Sequence, residues 1–175
     1  MFGINSRNEY LVRTTRSVED LHAAQKLRYQ VFNLELGEGL VSSSQHERDV
    51  DPFDDYCEHL IVQHQPTEEI VGTYRLQTGR MAERGIGYYS AREFDFSPYV
   101  SYRNEILELG RACIQIDHRK HQVLELLWRG IAQYAVSNGS RYLMGCSSLT
   151  SQNADEGWAL YSQLSPGYLA PSGLQ

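Results

Sequence analysis

The stretch "ILELGRACIQI", Ile106 to Ile116, reads for most of its length as a buried β-strand, yet it carries Glu108 and Arg111. Burying unpaired charge costs on the order of several kcal/mol. In a regular strand successive side chains alternate faces. Two residues three apart therefore point opposite ways. Gly110 lies between them, and a glycine inside a strand often marks a bulge or a close backbone approach. A bulge near Gly110 would bring both side chains to one side and free backbone N–H or C=O groups for a ligand. The alternative is that each charge pairs with structural partners on its own face.

Outward from this strand, the elements alternate in type. Downstream, "HQVLELLWRGIAQYAVSNG" is an amphipathic helix whose Leu124, Leu127, Trp128, Ile131, Tyr134 and Ala135 share a face, with Gly139 as its C′ residue. "RYLMGCSSL" reads as a strand and "ADEGWALYSQL" as a short helix, followed by a Gly/Pro-rich tail with little strand signal. Upstream, "CEHLIVQH" and "IVGTYRL" are strands joined by "QPTEE", a hairpin. Residues 77–102 read as irregular and rich in Tyr and Phe. Residues 9–15 form a first strand. "SVEDLHAAQKLRYQVFNLEL" follows as a helix capped by Ser17 and ended by Gly37 and Gly39, with Leu21, Ala24, Leu27, Val31 and Leu34 on its apolar face. The order β-α-β-β-β-α-β-α implies an α/β fold, a mixed central sheet flanked by helices.

The 175 residues suit a single domain, 1–175, with an ordinary globular composition of 41% hydrophobic and 22% charged residues. A net charge of −6 argues against generic nucleic-acid binding. The charge is uneven, however. Residues 101–145 hold six basic and four acidic side chains, a net +2 that leaves −8 elsewhere and could receive an acidic partner. Cys57, Cys113 and Cys146 lie in apolar stretches without metal-ligand spacing, so free buried thiols in a reducing compartment are expected. The N-terminus has no signal-peptide h-region and no apolar run is long enough to span a membrane, which points to the cytoplasm. "GCSSL" is not a nucleophile elbow, and no local pattern supports pairing Cys146 with His59 or His118.

The loop "RDVDPFDDYCEH" concentrates Asp49, Asp51, Asp54, Asp55 and Glu58. It lacks the spacing of an EF-hand. Solvation, metal binding or pairing with cations all remain open to it, and Arg28 on the first helix and Arg75 on the hairpin are natural partners.

The set "LRYQVF", "DVDPFDDYCEHLIV", "IVGTYRL", "ELGRACI" and "LLWRGIAQYA…YLMGCSSL" resembles the N-acyl amino acid synthase branch of the GNAT superfamily. That branch includes ornithine N-acyltransferases and sequences called "hemolysin-like". The set is also similar to the acyl-homoserine-lactone synthases. The resemblance spans roughly Leu21 to Leu149 and implies a GNAT-type acyl-CoA N-acyltransferase fold. It implies an acyl-acyl carrier protein donor bearing a phosphopantetheine thioester, no permanently bound cofactor and no metal. The acceptor is the α-amine of an amino acid, with ornithine first and tyrosine or glycine as other candidates. It implies a bacterial cytoplasmic enzyme, with peripheral membrane contact through a lipid product. By the same resemblance Glu108, Arg111, Asp51 and Asp54 are the catalytic set, with Glu108 as general base. Arg28, Phe32, Arg75 and Cys113 bind substrate, and Arg119 and Lys120 meet the carrier protein or its phosphopantetheine.

Two departures from the family pattern are informative. A tryptophan that the lactone synthases carry after their Arg-x-x-x-Phe has no counterpart in "NLELGEGL", which favours an N-acyl amino acid over an acyl-homoserine lactone. The stretch "RKHQVL" lacks both glycines of the Q/R-x-x-G-x-G/A loop that wraps the CoA pyrophosphate. Phosphopantetheine on a carrier protein has one phosphate and no adenosine, so the loss fits a carrier-protein donor. A catalytically idle module that binds an acyl carrier is the remaining alternative from another class.

Overall fold

A six-stranded sheet of order β1-β2-β3-β4-β5-β6 organises the chain. The computed structural model describes residues 4–6, 9–40, 43, 46–149 and 151–174, with the backbone alone for 4–6. Strands β1 (Ile4–Ser6), β2 (Tyr10–Thr14), β3 (Glu58–His64), β4 (Ile70–Thr78) and β5 (Ile106–Ile114) pair antiparallel in turn. β6 (Tyr142–Met144) lies parallel to β5. The sheet is therefore mixed, as its alternation with helices implies.

Helix α1 (Val18–Arg28) begins where Ser17 Oγ accepts from Asp20 N, with Glu19 and Asp20 in its first turn. Asp20 also pairs with Arg13 at 2.5 Å, tying the helix to β2. Past Arg28 the helix widens into a π-helical stretch, Tyr29–Glu35, and the chain turns away at Gly37, whose φ of +70° suits glycine. Helix α4 (His121–Ser137) ends with Gly139 at φ +70°, the C′ position expected of it.

The two faces of the sheet carry different loads. Tyr10, Val12, Leu60, Val62, Leu76 and Leu107 pack on Val123, Leu126, Leu127 and Ile131 of α4. On the other face Leu27 and Val31 cover Cys113, with Phe32 and Ile70 alongside. β-Strand alternation puts His59 and Arg75 on this second face, toward α1.

Several expected elements differ in detail. Leu34 is exposed because the π stretch rotates it off the α1 stripe. Leu124 and Trp128 are exposed, because the buried face of α4 is centred on Val123, Leu126, Leu127 and Ile131. Residues 77–102 are not irregular. They hold α2 (Gly79–Arg84), α3 (Ser90–Glu93) and a 3₁₀ run over Ser97–Glu105. The strand after α4 is three residues long, and α5 (Ala154–Tyr168) extends past Leu164 through Pro166.

Two irregularities in β5 create a cleft. Thr73 faces Cys113 and Arg75 faces Gly110, so Tyr74 alone on β4 opposes both Arg111 and Ala112. The chain does bulge next to Gly110, but the left-handed residue is Arg111, at φ +49°. Beyond Glu108 and Met144 the parallel strands part. Gly145 is needed there, since a Cβ would meet Leu109 O at 2.6 Å.

Candidate active site

The acidic loop folds under α1 and delivers its carboxylates to three arginines. Arg28 is fully buried. Its Nη1 and Nη2 reach the two oxygens of Asp54 at 3.0 and 2.6 Å, its Nη2 also donates to Asp49 O, and its Nε lies 3.0 Å from Asp49 Oδ1. Arg75 Nη1 sits 2.6 and 2.5 Å from the oxygens of Asp51, and Arg111 Nε is 3.3 Å from Asp51 and 3.5 Å from Asp49. Gln25 Nε2 donates to Asp54 at 2.9 Å. Three guanidinium groups thus balance three carboxylates in a largely dry layer between α1 and the sheet.

Burial and pairing compete within this layer. Burial pushes the Asp54 carboxyl up, and the hydrogen bonds and charge of Arg28 more than offset it, leaving it below the usual range. Asp51 is held low in the same way by Arg75. At Asp49 burial wins over the attraction of Arg28 and Arg111, and its carboxyl is raised. Its two oxygens lack a well-aligned donor among the described residues. His59, 3.8 Å from Asp54, is pushed down to about 4 by burial against the partial pull of that carboxylate, so it is neutral at ordinary pH.

Beside this layer a cavity of about 390 Å³ opens where β5 and β6 part. The bulge at Arg111 lets Glu108 and Arg111 line it together, across from Ser147 and Ser148. Glu108 is buried and accepts from the backbone N–H groups of Tyr89 and Ser90 at 2.9 and 2.7 Å. Arg111 keeps its terminal nitrogens free of hydrogen-bond partners among the described residues, with its guanidinium 5.7 Å from the Phe32 ring. Arg75 reaches the same cavity from β4, already engaged by Asp51. Cys146 also lines it, 3.5 Å from Ser90 Oγ, and is exposed rather than buried as expected.

Two further cavities are apolar. The first, about 370 Å³, lies between Val31, Phe32, Leu36, Leu124 and Leu127 and reaches Arg119. The second, about 310 Å³, is lined by Tyr99, Tyr102, Ile106, Tyr142 and Met144. Phe32 and Ala112 border both the central cavity and the first apolar one. Arg119 makes a bidentate pair with Glu35 at 2.6 and 2.7 Å, and Lys120 lies 4.0 Å from Glu9.

The sequence-expected residues therefore divide. Glu108, Arg111, Arg75 and Phe32 meet at one cavity. Asp51 and Asp54 stand behind it as partners of arginines. Arg28 does not fit a substrate-binding role, because it is wholly buried and spent on Asp49 and Asp54. Cys113 is a packing residue on the wall of the first apolar cavity, its thiol pushed up to about 12 by burial. Glu38, Ser147 and the amides of Tyr89 and Ser90 carry no signal in the sequence. Asp49 stands in the acidic run with Asp51 and Asp54, but its pairing with Arg28 and Arg111 has no local signal in the sequence. Among the described residues no group of three or more His, Cys, Asp or Glu is arranged to hold a metal ion.

Known proteins share this arrangement of elements. The acetyltransferase (GNAT) domain matches residues 27–129. The chain is 38% identical over 144 residues to an L-ornithine N(alpha)-acyltransferase of Rhizobium meliloti (strain 1021), covering 78% of this chain and 49% of that protein. It spans about half the length of the first curated relatives it matches. Among solved structures, the AHL synthase LasI superposes with a TM-score of 0.58 at 16% identity, over 87% of this chain and 77% of that one. FeeM, an N-acyl amino acid synthase from uncultured soil microbes, gives 0.57 at 12% identity, over 86% and 76%. The bulged β5, the parting of β5 from β6 and a domain match across more than half its residues make one conclusion: this chain belongs to the GNAT acyltransferase family.

Proposed function

We propose that the chain transfers a long-chain fatty acyl group, 3-hydroxylated or not, from a phosphopantetheine thioester on acyl carrier protein to the α-amine of an amino acid, with ornithine the first acceptor. One observation carries this reading: a polar cavity, holding Glu108 and Arg111 together at a strand bulge, shares Phe32 and Ala112 with an apolar cavity that reaches Arg119. A thioester at the end of a pantetheine arm needs a polar reaction site that opens onto such a groove. The arm runs along the cavity of Val31 and Leu36 toward Arg119 and Lys120, and the acyl chain enters the tyrosine-lined cavity. The phosphate of the arm displaces Glu35 from Arg119, and the basic stretch around Lys120 meets the acidic carrier.

In the reaction the α-ammonium of the acceptor gives a proton to Glu108, directly or through a water. Each Glu108 oxygen retains a lone pair after accepting one amide proton. The free amine attacks the thioester carbon, a tetrahedral oxyanion forms, and its collapse breaks the C–S bond. The amide product and the pantetheine thiolate leave, the thiolate taking up the second proton lost by the attacking nitrogen, and Glu108 releases the first proton to solvent. Backbone N–H groups freed at the bulge stabilise the oxyanion, and the open side of Arg111 holds the acceptor carboxylate. Asp51 and Arg75 fix Arg111 in place. The amphiphilic product draws the protein to a membrane surface, and no described helix is long and apolar enough to cross one.

The test is product identification. The purified chain is incubated with ornithine or S-adenosylmethionine, with acyl-carrier-protein or acyl-CoA donors, and the products are weighed by mass spectrometry. An N-acylornithine from the carrier-bound donor is expected, and Glu108→Gln is expected to lower its turnover by two or more decades in a folded protein. An acyl-homoserine lactone, or carrier binding with no amide from any common amino acid, refutes the reading.

A further inference from the structure

The charges lining the central cavity do not all cancel. Arg75 is neutralised by Asp51, and both oxygens of Glu108 receive backbone amides. Glu38 lines the same cavity, and among the described residues its carboxylate has neither an ion pair nor a hydrogen bond, whereas Arg119 occupies Glu35 nearby in sequence. Arg111, also on the cavity wall, does not come within ion-pair distance of Glu38. One cavity thus presents a carboxylate and an incompletely used guanidinium that do not close on each other.

Glu38 is also held in position. Gly37 makes its left-handed turn at φ +70°. Glu38 N donates to Phe32 O at 2.8 Å, and Asn33 Nδ2 donates to Leu40 O at 2.9 Å. Gly39 admits the Asn33 side chain, which a Cβ would meet at 2.0 Å. These bonds brace the loop against the π-helical stretch, so Glu38 is presented at the cavity by a fixed backbone.

We infer that Glu38 selects acceptors with a cationic side chain, receiving the terminal ammonium while Arg111 receives the α-carboxylate. The inference rests on the acyl-transfer reading for the identity of the acceptor, but not for its test. A ligand carrying a carboxylate at one end and an ammonium at the other satisfies both wall charges at once. A neutral side chain of the same length leaves Glu38 unmatched, and an acidic one meets like charge.

The experiment compares equilibrium binding of ornithine and norvaline, which lacks only the terminal amine, to the wild-type chain and to Glu38→Gln by calorimetry at low salt. Acyl-transfer rates for both acceptors run in parallel. Ornithine is expected to bind about five- to tenfold tighter than norvaline to the wild type, with the ratio collapsing toward one in Glu38→Gln. An unchanged ratio in the variant, or no preference in the wild type, overturns the inference. If the binding preference and its loss are seen but no acyl product forms, Glu38 keeps its role as the ammonium site, and acyl transfer is what falls.

Discussion

Replacing Arg28 by Met tests whether the layer between α1 and the sheet is held by charge balance. The substitution keeps most of the side-chain volume and removes one of three cations facing three carboxylates. Asp54 is left with Gln25, the backbone N–H of Asp51 at 3.4 Å, His59 at 3.8 Å and, at 3.5 Å, Arg75. Among the described residues Asp49 is left with only Arg111, also at 3.5 Å. Breaking a buried pair from one side costs about 3–5 kcal/mol, a large share of the roughly 5–15 kcal/mol that stabilises a domain. At a urea slope of about 2 kcal/mol per molar, the unfolding midpoint falls by about 2 M. The loss depends on pH in a definite direction. Burial already raises the Asp49 carboxyl, and without Arg28 it rises further. A carboxyl raised in the folded state exacts its full penalty above that raised value, and the penalty fades as pH falls through it toward about 3.9. The midpoint difference between variant and wild type is therefore larger at about pH 7.5 than at about pH 5. Adding Asp49→Asn to Arg28→Met removes the orphaned charge and recovers part of the loss. A midpoint shift under about 0.5 M at neutral pH, or no recovery in the double variant, refutes the charge-balance account.

Other outcomes follow from single contacts. Arg111→Ala is expected to raise the KM for the acceptor by about ten- to a hundredfold, the scale of a hydrogen bond to a charged group, and a donor KM that moves instead would place Arg111 on the wrong substrate. Gly79→Ala sets a Cβ 2.2 Å from Arg103 O, so about 1–3 kcal/mol of destabilisation should appear in thermal unfolding. His59 is depressed to about 4, so the unfolded chain takes up its proton first as pH falls. Stability should decline from about pH 6.5 toward 4, and His59→Gln should flatten that slope in urea titrations. Iodoacetamide at about pH 8 should label Cys146 in the native protein, while Cys57 and Cys113, both pushed up to about 12 by burial, label only after unfolding. Mass mapping of the three sites decides it.

The hairpin of β3 and β4 was legible because its period and its turn are local. The bulge was half legible. Gly110 signalled an interruption, but the left-handed conformation falls on Arg111, whose side chain Asp49 and Asp51 draw toward the acidic loop. That cause lies sixty residues away in sequence. Arg28 carries two readings, and its pairing with the acidic loop is the one its burial matches. Its place between Ala24, Leu27 and Val31 put it on the buried stripe of α1, which was the available sign that it faces inward. β1 leaves no signature in the sequence, because three residues are too few to show a period. The strand after α4 is shorter than "GCSSL" implies, because pairing with β5 stops at Met144 although the sequence keeps a strand-like composition beyond it. Glu38 lies in a loop whose role depends on which cavity passes beneath it, and no local pattern reveals that.

The wide winding of Tyr29–Glu35 sets the aim of one side chain. In an α-helix each residue turns the chain by about 100°, and a π-helical turn holds more residues than an α-helical one. Phe32 sits inside that slack and divides the central cavity from the apolar cavity of Val31 and Leu36. Tightening the stretch by deleting one residue ahead of Phe32 would swing the ring by about a quarter of a circle. The partition would then open and the two chambers would merge into one trough. The chain thus carries a length-sensitive gauge in which a single inserted or lost residue, with no change of chemistry, resizes the apolar compartment that reaches Arg119.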